Sequence, residues 1–101
     1  SQIKKTLTMI DENLASENYW EKFKHQFSNI HPKFFEKLIT AYPDLTKTEL
    51  KLCSFIKMNL SSKEISNILN VTAEAIEKSR YRLRKKLNIG EKNMTQFINS
   101  I

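Results

Sequence analysis

The chain has 101 residues, one glycine, two prolines and one cysteine, which sizes it for a single all-α domain with a modest core and excludes an internal disulfide. No apolar run reaches the length of a membrane span, and no signal-peptide pattern opens the sequence. The formal net charge of +6 is uneven: as far as Leu45, Lys4, Lys5, Lys22, Lys24, Lys33 and Lys37 are balanced by Asp11, Glu12, Glu17, Glu21, Glu36 and Asp44, so the whole excess falls in the remainder and predicts an anionic partner for that part alone.

Ile3, Leu7, Ile10 and Leu14 recur at spacings of four, three and four, the seam of a short coiled coil. Residues 1–17 are therefore expected to form a dimerisation or linker helix. Asn18-Tyr19-Trp20-Glu21 has the form of a capping box, predicting a helix through about Asn29 with Trp20, Phe23 and Phe27 on one side. Pro32, suited to a first helical position, predicts the next helix, which carries Phe34, Phe35, Leu38, Ile39 and Tyr42 and stops at Pro43. Aromatic residues at helical spacing with no local excess of Lys or Arg read as core rather than as a base-stacking surface. Residues 18–44 are thus expected to pack on the C-terminal unit.

Thr46-x-x-Glu49 is a capping box for a helix with Leu52, Cys53, Ile56 and Leu60 inward, ending at Asn59. Ser61-x-x-Glu64 opens another, with Ile65, Ile68 and Leu69 on its buried side and Asn70 as its stop. After about three residues Thr72 caps a third helix, where Ile76, Leu83 and Leu87 fall on one stripe. Ser79 to Lys86 holds five basic side chains in eight residues, and Glu74, Lys78, Tyr81, Arg82 and Lys85 lie opposite the stripe. Asn88-Ile89-Gly90 ends that helix, and 91–101 is expected to be helical with Met94, Phe97, Ile98 and Ile101 on one side. Two short helices joined by so tight a turn, the second basic on its outer side, predict a helix-turn-helix whose second helix enters a DNA major groove.

These residues resemble the LuxR-type (GerE-like) helix-turn-helix domains of bacterial regulators. The resemblance runs without a gap from Leu45 to about Leu87, through Leu45-Thr46-x-x-Glu49, Leu60-Ser61-x-Lys63-Glu64-Ile65, Leu69-x-Val71-Thr72, Ala75-Ile76 and Lys86-Leu87. Asn59 and Asn70 stand where the family usually has glycine, and Ser79-Arg80 where it tends to have His and an apolar residue. Arg80 then falls near the buried stripe, where Glu49 or Glu64 is the expected partner. The aromatic pattern from Trp20 to Pro43 followed by Leu45-Thr46 resembles the C-terminal segment of LuxR-type regulators from Bacteroidetes, in which a coiled coil links an upstream sensor to the helix-turn-helix. The resemblance implies a four-helix DNA-binding domain over 45–101, about three helices before it, and a sensor domain upstream in a longer protein. A chain opening on Ser rather than Met fits that expectation. Ser79 to Leu87 also resembles the end of sigma-factor region 4, which leaves promoter recognition of that kind as the alternative, with a purely structural dimerisation module as another.

If the helix-turn-helix reads duplex DNA, Ser62 and Lys63 at one helix start and Thr72 at the next are expected to hold phosphates, as are Arg84, Lys85 and Lys86. Base edges fall to Ala75, Glu77, Lys78, Tyr81 and Arg82: Lys78 or Arg82 toward guanine, Glu77 toward a cytosine amino group, Ala75 near a thymine methyl. A homodimer on paired half-sites is expected, through either the seam or the last helix. Cys53 reads as a small buried hydrophobe, and His25 and His31 lack metal-ligand companions at suitable spacing. With no Gly-rich phosphate loop and no nucleophile beside a base, neither enzyme activity nor a cofactor or metal is expected. Nor is membrane contact, and a reducing cytoplasm is the compartment that fits.

Overall fold

The structure, a computed structural model, describes residues 19–101. The expected seam of Ile3, Leu7, Ile10 and Leu14, and the cap at Asn18, lie outside the described residues. Among the described residues all regular structure is helical, and the chain divides into two compact units, Ser1–Pro32 and Lys33–Ile101.

In the first unit residues 19–30 are helical (α1). Aromatic side chains one turn apart stack along it: Tyr19 on Phe23 at 6.2 Å, Trp20 on Phe23 at 5.8 Å and Phe23 on Phe27 at 5.6 Å between ring centroids. His31 extends the ladder, its ring 5.1 Å from that of Phe27 and its amide donating to the Phe27 carbonyl at 2.8 Å.

The second unit opens with α2, Phe34–Ala41. It starts two residues after the expected Pro32, because Pro32 is used in the turn and the first helical hydrogen bond runs from the Lys37 amide to the Lys33 carbonyl at 2.9 Å. Its end at Tyr42 is as expected: the residue before Pro43 is excluded from helical geometry, and Tyr42 has φ −135 and ψ 73. Phe34 and Leu38 are buried, Phe34 beneath the Lys57 ammonium at 5.8 Å, and Tyr42 meets Phe97 edge to face at 6.5 Å. α2 is thereby tied to the helices that follow.

Helix α3, Lys47–Lys57, and helix α4, Ser62–Leu69, both start at the expected capping boxes. Thr46 accepts from the Glu49 amide at 3.1 Å while its own amide donates to the Glu49 carboxylate at 2.8 Å; Ser61 and Glu64 repeat the pattern at 3.1 Å each way. Helix α5, Ala73–Leu87, is capped by the Thr72 hydroxyl, which accepts from the Ala75 amide at 3.0 Å. The bends after α3, α4 and α5 all use left-handed asparagine: Asn59, Asn70 and Asn88 have φ of 63, 56 and 54.

Helix α6 covers Met94–Asn99, shorter than the expected 91–101. Asn93 caps it, accepting from the Gln96 amide at 2.9 Å, so residues 90–92 remain in the turn. The signal was in the sequence, since Asn93 followed three residues later by Gln96 has the form of a capping box.

α4 packs chiefly on α5, and α3 on α6 and α5. Leu52, Cys53, Phe55 and Ile56 of α3, Ile65 of α4, Ile76, Leu83 and Leu87 of α5, and Met94 and Ile98 of α6 are all buried. The buried Ser54 and Ser66 hydroxyls donate to the Lys51 and Lys63 carbonyls, each at 2.6 Å, so neither leaves a polar atom stranded in the core.

Candidate nucleic-acid interface

With Ile76, Leu83 and Leu87 turned inward, the helical period sends Glu74, Lys78, Tyr81, Arg82 and Lys85 outward, and all five are exposed. Tyr81, at 61% exposure, is a large aromatic ring in the middle of a cationic surface. The Lys85 ammonium stands over that ring, 4.6 Å from its centroid. Lys78 meets Glu74 one turn earlier at 3.7 Å, an exposed pair of little energetic weight. Among the described residues Arg82 and Lys63 are exposed and enter no ion pair. The starts of α4 and α5 bring Lys63 and Thr72 to the surface as well.

Four of the residues expected to contact DNA make contacts within the fold. The Ser62 hydroxyl donates to the Glu77 carboxylate, joining the first turn of α4 to α5. The Ser62 proton is thus directed at Glu77, where a phosphate contact was expected, and the Glu77 carboxylate, expected at a cytosine, accepts it. Arg84 is half-buried, and its guanidinium donates to the Gly90 carbonyl at 2.7 Å and to the Lys92 carbonyl, holding the turn between α5 and α6. Lys86 donates to the Glu49 carboxylate at 2.7 Å and to the Asp44 carbonyl at 3.3 Å, pinning the last turn of α5 to the start of α3. Ala75 is half-buried beneath the Thr72 cap.

Arg80 lacks the carboxylate partner expected for it. Glu49 is taken by Lys86, and the Glu64 carboxylate returns to the Ser61 amide. Arg80 instead lines a polar hollow of about 320 Å³ with Asn59, Leu60, Ser61, Ser62, Glu77 and Thr95. It is half-buried, so solvent reaches the guanidinium and no ion pair is required there.

Burial works to raise the pKa of Glu49, but the hydrogen bond from Lys86, those from the Thr46 amide and hydroxyl, and the nearby positive charge together hold it below the ordinary carboxylate value. A depressed folded-state pKa contributes stability that is complete above the unfolded value and lost as pH falls through the folded one. Urea unfolding of the chain and of Lys86→Met, followed from about pH 6 to about pH 3, is expected to show the variant about 1 kcal/mol less stable at the upper end and the difference closing toward the lower. Equal acid limbs in the two proteins would remove Lys86 as the cause. Burial, reinforced by the Glu49 charge, pushes the Cys53 thiol up to about 12, so it stays protonated and packs as an apolar group.

Among the described residues no cluster of His, Cys, Asp and Glu is arranged to hold a metal ion. No helix among them is long and apolar enough to cross a membrane. No protein-family model and no solved structure matches the chain. Over 67 residues the chain is 33% identical to the "Probable transcriptional regulator ycf29" of Guillardia theta, the match taking in 65% of this chain and 32% of that protein. The chain thus spans about a third of the length of the curated relative it matches.

Proposed function

We propose that this chain binds double-stranded DNA sequence-specifically as the output part of a transcriptional regulator, α5 lying in the major groove and α4 bracing it from behind. The observation that carries this reading is the outward side of α5. Lys78, Tyr81, Arg82 and Lys85 are exposed together, directly opposite the stripe of Ile76, Leu83 and Leu87 that anchors the helix. A helix of that kind offers cations and an aromatic ring to a partner while its own folding depends on the other side. The similarity to a protein named as a transcriptional regulator supports the same reading.

In this proposal α3 to α6 form a LuxR-type helix-turn-helix domain, with α4 and α5 as its two central helices. Lys63, Thr72 and Lys85 hold phosphates, and Lys78, Tyr81 and Arg82 face base edges with Ala75 at the N-terminal end of the contact. Ser62, Glu77, Arg84 and Lys86 serve by keeping α5 at its angle to α3, α4 and the following turn. The whole regulator works as a homodimer on paired half-sites, joined through the seam of Ile3, Leu7, Ile10 and Leu14 or through α6, and answers to a sensor domain upstream in the cytoplasm.

Selection of duplexes from a random pool tests the proposal directly. A recovered sequence with two spaced half-sites is expected, bound in a salt-sensitive way. On that sequence Arg82→Ala is expected to cost about 1–3 kcal/mol and to relax the preference at one base pair. Uniform weakening on every duplex would remove Arg82 from base reading, and the absence of any salt-sensitive duplex binding would remove the function.

A further inference from the structure

The outer surface of α5 is not uniformly charged. Glu74, Glu77, Lys78, Tyr81 and Arg82 enclose an open hollow of about 470 Å³, wide enough to admit the edge of a base. Its lining is mainly apolar, with the Tyr81 ring among it, and the Lys78 ammonium at its border stands 3.7 Å from the Glu74 carboxylate. The Lys85 ammonium, 4.6 Å from the centre of the Tyr81 ring, contacts that ring without lining the hollow.

A mainly apolar hollow that carries Lys78 and Arg82 beside Glu74 and Glu77, with the Lys85 ammonium on the Tyr81 ring, suits a partner that is anionic overall yet presents a small apolar group between its charges. Duplex DNA does this in the major groove, where the 5-methyl of thymine is the apolar feature of the base edges. We infer that the Tyr81 hollow is a thymine-methyl site, making Tyr81 a specificity-determining residue and a thymine part of the preferred half-site. This inference rests on the duplex-reading function proposed above and adds which base that surface selects. The Tyr81 ring supplies the contact; Lys85 acts as a positioning residue for it.

The test varies a single methyl group. The 101-residue chain is first used to select a preferred duplex, and each thymine in that duplex is then replaced in turn by uracil, which keeps every hydrogen-bonding group and deletes the methyl. At one position per half-site the substitution is expected to weaken binding about fourfold, the size of one buried methyl. Tyr81→Phe should keep that discrimination, and Tyr81→Ala should bind the thymine and uracil duplexes equally. Lys85→Gln should lower affinity for both and shrink their ratio.

If the wild-type chain binds all uracil-substituted duplexes as tightly as the parent, the methyl site is wrong while duplex reading stands. The same holds if Tyr81→Ala retains the fourfold ratio. Failure to bind any duplex in a salt-sensitive way would overturn the proposed function and the methyl site with it.

Discussion

Leu83→Ala is expected to lower the unfolding free energy by about 2–5 kcal/mol, a large share of the roughly 5–15 kcal/mol that holds a domain folded. Leu83 is fully buried, midway along the stripe by which α5 meets α3 and α4, so truncation leaves a void at the junction. A urea titration followed by circular dichroism measures the loss. An equivalent truncation outside, Tyr81→Ala, should change the unfolding free energy by no more than about 0.5 kcal/mol, since the ring is 61% exposed. A loss below about 1 kcal/mol at Leu83 would mean that α5 is not anchored by this stripe.

The second large effect is electrostatic and leaves the fold alone. Replacing Lys63 and Lys85 together by glutamine is expected to flatten the dependence of log affinity on log salt by nearly 2 units, at about 0.9 per phosphate contact. At about 0.1 M salt that corresponds to a loss on the order of fifty-fold on any duplex, shrinking as salt rises. Both residues are exposed, so unfolding midpoints should hardly move. Lys86→Gln is the informative contrast, because its ammonium is already bound to Glu49 and Asp44. It should reduce stability by about 1 kcal/mol and leave the salt slope unchanged. If Lys86→Gln flattened the slope as much as Lys85→Gln, the division between charges that serve the fold and charges that face a partner would be wrong.

That division also marks what could be read from the sequence. Local features were legible because their physics is local: a hydroxyl three residues before a carboxylate closes on itself at Thr46 and Ser61, and asparagine takes the left-handed turn at Asn70 and Asn88. The inward stripe of α5 follows from the helical period alone. Contacts between elements were not legible. Nothing in the local pattern distinguishes Lys86 from Lys85, yet one reaches across 37 residues of chain to Glu49 and the other faces solvent over Tyr81. Glu77 and Ser62 meet only because α4 folds back on α5, and Arg84 turns inward only because residues 90 and 92 aim their carbonyls at it. At Pro32 a favourable local preference was overruled by the turn that uses it, so the helix waited until Phe34.

The asparagines at the three bends have a kinetic meaning. An asparagine at a left-handed position restricts the unordered backbone more than glycine does, so fewer states are surrendered when each corner forms, at the cost of mild steric strain. Corners of that kind keep α4 and α5 preset at their mutual angle in the unbound protein. Under the proposed function, encounter with duplex DNA then requires almost no rearrangement, and the association rate should be governed by long-range attraction rather than by a folding step.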